Sequence, residues 1–266
     1  MAGPLLITRE GHVETWTLNL PERRNPISDL PMVEALEEAA TRVTADVSVR
    51  AVILTGAGPA FSSGGDVKAM AERTGMFGGT GAEIADGYRR GIQRIPRSLY
   101  HCPVPLIAAV NGPAVGAGCD LTLMCDIRVA STSAFFAESF VKVGLIPGDG
   151  GAFLLPRVVG AARAAEMSLT GDRIDAQTAL AWGLVSRVVA PDDLLPAARE
   201  IADRIAANPP VAVRAGKQLL REAATLTLDE VLDKSADVQA LMHQTADHAE
   251  AVIAFVEKRQ PRFTGE

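Results

Sequence analysis

The sequence predicts an α/β protein, with a layered core around a mainly parallel sheet and a helical C-terminal region. Two observations predict this fold. Apolar strand-like segments alternate with amphipathic helical segments over roughly the first 190 residues, which is typical of a parallel sheet covered by helices. From Asp192 onward only helical patterns occur. Hydrophobic residues make up 48% of the 266-residue chain, so a sizeable core is available.

The first predicted elements are a hairpin, a helix and a strand. Residues 5–9 and 13–20 flank a Gly-His turn, and polar and apolar side chains alternate along the second segment with a period of two. A helix is then expected to about Asp46, because apolar residues recur on one face. Those residues are Leu30, Val33, Leu36, Ala40 and Val43. Residues 49–55 are predicted to be a short buried strand.

Two glycine-rich turns organise the middle of the chain. The first is Phe61-Ser-Ser-Gly-Gly-Asp66, followed by a short helix and by the loop 74–81, whose four glycines predict mobility. A helix is expected over 82–100, disturbed by Pro96. The second turn follows the apolar strand 106–110 and leads into a helix from about Cys119 to Met124.

The remaining elements follow from the same patterns. Two short strands, a short helical segment and a rigid loop precede the later helices, and a Thr227–Glu230 capping box opens a long last helix to about Arg259. The predicted strands are 127–130, 134–137 and 184–189; the short segment and loop are 140–144 and 145–151; the helices are 161–169, 175–182, 192–207 and 211–224.

Composition excludes several classes of function. The net charge of −6 and the lack of a basic cluster argue against nucleic-acid binding. The three cysteines have no metal-like spacing, so we expect reduced thiols, a cytoplasmic protein and no metal site. The start Met1-Ala-Gly-Pro lacks the basic segment of a secretion signal, and no apolar run is long enough to span a membrane.

The glycine-rich turns point to binding of a negatively charged oxygen. The segment Ala51–Gly58 has a strand followed by G-x-G, but Phe61 stands at the third glycine position, which argues against a dinucleotide site. Two backbone N–H groups meeting at one point would stabilise an oxyanion, which favours acyl or enolate chemistry. The four histidines lie in a turn, at a helix end and on the last helix, where structural or solvated roles are expected.

Several ordered motifs resemble the crotonase (enoyl-CoA hydratase/isomerase) superfamily over essentially the whole chain. The motifs are Phe61-Ser-Ser-Gly-Gly-Asp66, Asn111-Gly-Pro-Ala-Val-Gly-Ala-Gly-Cys-Asp-Leu121, Cys125-Asp-Ile127, Gly144-Leu-Ile-Pro-Gly-Asp-Gly-Gly151, Ala181-Trp-Gly-Leu-Val185 and Phe255-Val-Glu-Lys-Arg259. The resemblance implies a spiral of repeated ββα units in residues 1–190. It also implies a helical region, 191–266, for trimerisation and cover of the active site, with trimers often paired into hexamers.

The resemblance also implies a substrate, an acyl-CoA thioester, with no separate cofactor. Its thioester oxygen would be held by the N–H groups of Gly65 and Ala117. The helix 82–100 and the loop before it would shape the acyl pocket. The other positions expected to contact substrate are Arg24 and Lys68 as phosphate partners, Phe255 and Lys258 at a CoA site commonly shared with a neighbouring subunit, and Ser63, Asp66, Gly116 and Phe140 as further substrate-binding positions.

The acids depart from the family's usual pair of glutamates. The first position maps to Asp120, and the second maps to Phe140, which cannot carry a proton. Asp149 either replaces the missing acid or is a turn residue that caps the next helix. Glu138, two residues before Phe140, could also replace the missing acid, but a solvated or interface position is expected for it.

The predicted function is hydration or double-bond isomerisation of an enoyl-CoA through an enolate. The loss of the second acid weakens the case for a hydratase more than for an isomerase. Two alternatives remain open: other acyl-CoA chemistry, such as hydrolysis, dehalogenation or ring opening, and a non-catalytic acyl-CoA-binding protein. RNA binding, known for some relatives, is disfavoured by the acidic charge.

Overall fold

The computed structural model describes residues 3–266 and places a six-stranded sheet at the centre of the protein. The strands are β1 (Leu5–Glu10), β2 (Val13–Leu18), β3 (Ala51–Gly56), β4 (Leu106–Val110), β5 (Ala114–Val115), β6 (Ile127–Ser131), β7 (Phe135–Ala137), β8 (Arg173–Asp175) and β9 (Arg187–Val189). The main sheet has the order β1-β2-β3-β4-β6-β9, and a smaller sheet has the order β5-β7-β8. In the main sheet only β1 and β2 pair antiparallel, which confirms the predicted, mainly parallel arrangement.

Helices cover the sheet and form the C-terminal part. They are α1 (Leu30–Ala45), α2 (Val67–Glu72), α3 (Gly81–Arg90), α4 (Arg94–His101), α5 (Ala117–Met124), α6 (Gly151–Val159), α7 (Ala161–Thr170), α8 (Ala176–Ala181), α9 (Leu194–Ala206), α10 (Pro210–Glu222), α11 (Leu228–Met242) and α12 (Ala246–Glu257). None of the helices in residues 3–266 combines the length and the apolar character needed to cross a bilayer.

Two predicted helices are wrong in their extent. The helix expected over 82–100 is divided at Gly91, whose backbone (φ −103°, ψ −120°) leaves the helical region. Pro96 does not cause the break, because it lies in the first turn of α4, where a missing N–H has no partner to lose. The expected last helix is divided before Thr245, whose hydroxyl accepts a hydrogen bond from the N–H of His248 and starts α12. The Thr227–Glu230 capping box is confirmed.

The main sheet is buried on both faces, which is why its central strands are almost entirely apolar. On one face Leu54 and its neighbours pack under α1, α4 and α5. On the other face Ile53 and Ile107 pack against α9. The helix α9 therefore covers the sheet, although it lies in the predicted C-terminal region. The division at residue 190 stays a prediction, and residues 1 and 2 of the first region lie outside the described residues.

Candidate active site

The two glycine-rich turns meet in space, as the sequence predicts. Ser62 and Ala114 form a parallel bridge, and the N–H of Val115 donates to the carbonyl oxygen of Ser62 over 3.0 Å. Gly64, with a φ of +80°, lies so close to the second turn that a Cβ there would be 2.9 Å from the nitrogen of Ala117. Only glycine fits this backbone and this contact.

Two N–H groups at this junction have no acceptor within residues 3–266. Ala117 is the first residue of α5, so its N–H has no partner inside the helix. The N–H of Gly65 also makes no hydrogen bond, although the N–H groups on either side are held by Ser62 and Ser28. Gly65 and Ala117 line the same cavity. The geometry therefore offers two free donors to a ligand oxygen.

The cavity has a volume of about 100 Å³ and a largely apolar wall. It is lined by Ser28, Ser63, Gly65, Val67, Met70, Met76, Phe77, Tyr88, Ile92, Val115, Gly116, Ala117, Ser139, Phe140, Val143, Leu145 and Asp149. The predicted positions Ser63, Gly116 and Phe140 are among them. Part of the wall comes from the segment 74–100, which contributes Met76, Phe77, Tyr88 and Ile92.

Asp149 is the one acid among the described residues that line this cavity. It stands in the loop before α6, and its side chain is 4% exposed. Burial raises the pKa of its carboxyl to about 6. The side chain makes no hydrogen bond within residues 3–266, and the residue that caps α6 is Gly150. Asp149 therefore does not cap α6, so the alternative role as a helix cap is wrong.

Asp120 and Glu138 lie behind the cavity wall, fully buried. Burial raises the pKa of each carboxyl, and for both groups the negative charge of Asp149 adds to the effect. The expectation of a solvated or interface position for Glu138 is wrong, because that side chain is 0% exposed within this chain. Glu138 stands two residues after the buried Phe136 at the end of β7, so it faces the core with Phe136.

Phe140, the position at which the sequence resemblance predicts a second acid, lies in the cavity wall. Its ring packs on Gly116, and a Cβ at Gly116 would be 3.7 Å from the ring carbon Cζ. Gly116 has a φ of +54° and a ψ of −124°, a conformation that only glycine adopts readily, and it caps α5. The aromatic ring therefore gives this part of the cavity an apolar surface without a group that carries a proton.

Replacing Gly151 with alanine should destabilise the protein by about 1–3 kcal/mol, since a Cβ there would lie 2.1 Å from Oδ1 of Asp120 in a packed interior. Urea unfolding of the variant would measure this loss. Gly216→Ala is a matched control, because Gly216 is in α10 with open space around it and the same change should stabilise by roughly 0.4–1 kcal/mol. Equal effects at the two positions would contradict the close packing of Gly151 on Asp120.

A second, wider cleft of about 880 Å³ adjoins the first cavity and shares Ser63, Val115 and Ser139 with it. Three cations line it: Arg24, Lys142 and Arg173. One acid, Asp172, pairs with Lys142 over 3.1 Å. Arg24 and Arg173 make no ion pair in the part of the chain that the structure describes.

Other predicted substrate contacts lie apart from the cavities. Asp66 accepts hydrogen bonds from two N–H groups of α2 and pairs with Arg23 over 2.5 Å. The Lys68 side chain is 83% exposed and lies 3.9 Å from Glu72. Phe255 is 86% exposed near the end of α12, and Lys258 follows that helix. The roles of these residues toward substrate stay predictions.

The chain is similar to proteins of one family along almost its whole length. A family model described as enoyl-CoA hydratase/isomerase matches residues 8–266. A 1,2-epoxyphenylacetyl-CoA isomerase from Escherichia coli is 40% identical over 256 residues, which are 96% of each protein. A short-chain-enoyl-CoA hydratase from Clostridium acetobutylicum is 36% identical over 96% of this chain and 95% of that protein. The crystal structure of an enoyl-CoA hydratase from Bacillus anthracis superposes with a TM-score of 0.92 at 35% identity, covering 99% of this chain and 100% of that one.

Proposed function

Because this chain belongs to the enoyl-CoA hydratase/isomerase family, we propose that it moves the double bond of a short enoyl-CoA, with Asp149 as the group that carries the proton. The family, the crotonase-type fold and the class of enzyme predicted from the sequence are confirmed. The thioester oxygen would accept hydrogen bonds from the N–H groups of Gly65 and Ala117.

One observation carries this proposal: the cavity that holds both free N–H groups has Asp149 as its acid and has Phe140 at the position of the usual second acid. Isomerisation needs only one carboxylate. With a 3-enoyl-CoA, Asp149 removes a proton from the α carbon, and the electron pair left behind forms a dienolate whose negative oxygen lies at the two N–H groups. The protonated Asp149 then returns the proton to the γ carbon, which leaves a 2-enoyl-CoA.

The pKa of Asp149 suits this task. A base works best when its pKa lies near the working pH, and burial raises the pKa of Asp149 to about 6. At neutral pH the carboxyl is then mostly ionised and still accepts a proton readily. The apolar wall around it excludes the water that would weaken both the base and the two N–H donors.

Hydration is a second candidate, favoured by the names of the relatives, one of which is a short-chain-enoyl-CoA hydratase. In that reaction Asp149 would take a proton from water as its oxygen bonds to the β carbon, and a proton would then have to reach the α carbon. Asp120 is the nearest family position for such a donor, but it does not line the cavity.

The coenzyme A part of the substrate fits the wider cleft. Its phosphates would be paired by Arg24, Lys142 and Arg173, which line that cleft next to the thioester site. We further propose a homotrimer or a hexamer, supported by exposed apolar side chains of α11 and α12: Leu228, Leu232, Leu241, Val252, Phe255 and Val256. A cytoplasmic location is supported by the three buried cysteines, which carry no disulfide.

The proposed function is tested with purified protein and three thioesters: 3-hexenoyl-CoA, crotonyl-CoA and benzoyl-CoA as an inert control. We expect conversion of the 3-enoyl ester to the conjugated 2-enoyl ester, identified by mass spectrometry and ultraviolet absorbance. Hydration of crotonyl-CoA without isomerisation would favour the second candidate. Turnover of neither ester would overturn both, and a product screen would then test hydrolysis, dehalogenation and ring opening.

The small cavity predicts a preference for short acyl chains. A volume of about 100 Å³ holds roughly seven to ten water-sized groups, at about 10–15 Å³ for each. We expect kcat/KM to fall at least tenfold from 3-hexenoyl-CoA to 3-decenoyl-CoA, roughly the loss of one or two kcal/mol of binding. Met76→Ala should enlarge the cavity and so reduce the ratio of kcat/KM between the two chain lengths. Met32→Ala, a buried change away from the cavity, should leave that ratio unchanged. Equal rates for both chain lengths would contradict the assignment of this cavity to the acyl group.

A further inference from the structure

The buried carboxyls of Glu138 and Asp120 are neighbours that the reaction described above does not use. Glu138 follows Ala137, whose carbonyl oxygen accepts a hydrogen bond from the N–H of Gly116 over 2.7 Å, and Asp120 stands one helical turn after Gly116. Both side chains are 0% exposed. All four of their oxygens lack a hydrogen-bond partner within residues 3–266. The titrating groups that act on Glu138 are Cys119, Asp120 and Asp149, and no lysine, arginine or histidine of the described chain is among them. Nothing positively charged therefore balances this pair.

Two ionised carboxylates cannot face one another in such a place. Each would be a buried charge without a counter-ion, and their repulsion would add to the cost of burial. One proton resolves both problems, because the O–H of one carboxyl can donate to the ionised oxygen of the other. A proton held in this way also supplies a stronger hydrogen bond than the Cys119 thiol, which is a weak donor and is the other side chain whose hydrogen bonding acts on Glu138.

We propose that Glu138 is a positioning residue of this enzyme: it shares one proton with Asp120, and the pair holds a single negative charge behind Asp149. The pair acts through the loop that leads into α6. Oδ1 of Asp120 lies against the backbone of Gly151, where a Cβ would be 2.1 Å away, and Asp149 is two residues earlier in that loop. The pair therefore fixes the loop and favours uptake of the substrate's proton by Asp149.

The inference rests on the proposed function only in naming Asp149 as the base. The groups that face Asp149 include Tyr88, whose pKa is raised by burial and by the charge of Asp149. Those that face the pair are Cys119, on the same helix as Asp120, and Asp149 itself. The pKa of the Cys119 thiol is raised by burial and by both acids, so it stays protonated and adds no charge.

Infrared spectroscopy tests the shared proton without any substrate. At pH 8 we expect a protonated-carboxyl C=O band in the wild-type protein, which remains in Asp149→Asn and is absent from the double variant Asp120→Asn, Glu138→Gln. A wild-type spectrum without that band would overturn the proposal, as would a band lost in Asp149→Asn. If the double variant does not fold, the first two spectra decide, because the other buried acids are paired: Glu14 with Arg42, and Asp247 with two N–H groups.

Kinetics test the positioning role. Glutamine at position 138 can still hydrogen-bond to Asp120, whereas leucine of similar size cannot. We expect Glu138→Gln to keep kcat within about threefold and Glu138→Leu to lower kcat at least about tenfold at unchanged KM, the low end of acid–base effects. Equal kcat values for the two variants would overturn the role. If the wild-type protein turns over no thioester, the proposed function fails, while the infrared result still decides whether the proton is shared.

Discussion

Replacing Asp149 with asparagine should lower kcat by about a hundredfold to ten-thousandfold, the usual range for loss of a general base. The variant keeps the shape of the side chain but cannot accept a proton. Substrate binding should change little, because the thioester oxygen and the coenzyme A contacts are made elsewhere. Steady-state rates with 3-hexenoyl-CoA measure the effect. Asp86→Asn is the matched control, since Asp86 is an exposed acid on α3 that pairs only with Arg90 among the described residues.

The pH dependence of the same residue has a defined sign. Asp149 must be ionised to act as a base, so kcat/KM of the wild-type protein should rise with pH through about 6 and level off above it. The raised pKa also means that the fold favours the protonated acid. This contribution of Asp149 to the free energy of unfolding is fully present below the pKa of an aspartate in the unfolded chain, which is about 4. It is lost as the pH rises through about 6. Asp149→Asn should therefore be more stable than wild type at pH 8, by up to about 3 kcal/mol. A variant that is active, or that unfolds more easily at pH 8, would contradict this account.

Ala117→Pro should lower kcat by about a hundredfold to a thousandfold while leaving the fold in place, as expected when one oxyanion donor is lost. Proline removes the N–H of residue 117 and nothing else from the backbone's hydrogen bonds. The first position of a helix tolerates proline, because that N–H has no partner in the helix. Thermal unfolding and single-turnover rates measure the two expectations.

Ala161→Pro is a close structural control for this change. Ala161 is the first residue of α7 and follows Gly160, whose φ is +82°, much as Ala117 follows Gly116. It is exposed and outside both cavities. Ala161→Pro should leave kcat unchanged. If Ala117→Pro also keeps its kcat, the N–H of residue 117 does not hold the developing charge.

The parts of the site that could be predicted are those fixed by local backbone chemistry. A strand followed by small residues and a helix start leaves N–H groups without acceptors, and this pattern occurs at Gly65 and at Ala117. The structure brings these two positions to one cavity. Asp149 follows from the resemblance, which implies an acid in the glycine-rich loop before this helix.

Glu138 could not be placed from the sequence because its position depends on how far β7 extends. Phe136, two residues earlier, is buried, so continuing the period of two by one step puts Glu138 in the core. The residues after Glu138 form a short 3-10 helix instead of a strand, so the alternating pattern does not continue and the burial of Glu138 cannot be recognised from the sequence. A buried acid beside a second acid also contradicts the general preference for exposed glutamate, a departure typical of functional sites.

The helix breaks were missed for a different reason. Apolar periodicity continues through Gly91 and Thr245. Only the backbone angles of Gly91 show that α3 ends there, and only the hydroxyl cap of Thr245 shows that a new helix, α12, begins there. The break at Gly91 matters for the site, because it separates Tyr88 on α3 from Ile95 and Leu99 on α4. Tyr88 lines the cavity, while Ile95 and Leu99 belong to the core.

The bridge between Ser62 and Ala114 joins distant parts of the chain, so the site can form only late in folding. Gly65, Ala117 and Asp149 are far apart in sequence, and no local element contains more than one of them. Contacts of such high contact order form only after long loops have closed, whereas hairpins and single helices form earlier. A newly synthesised chain with most of its secondary structure in place would thus still lack the two donors and the base together. Incompletely folded copies would leave thioesters untouched, so that catalytic competence and completion of the core arise in the same step.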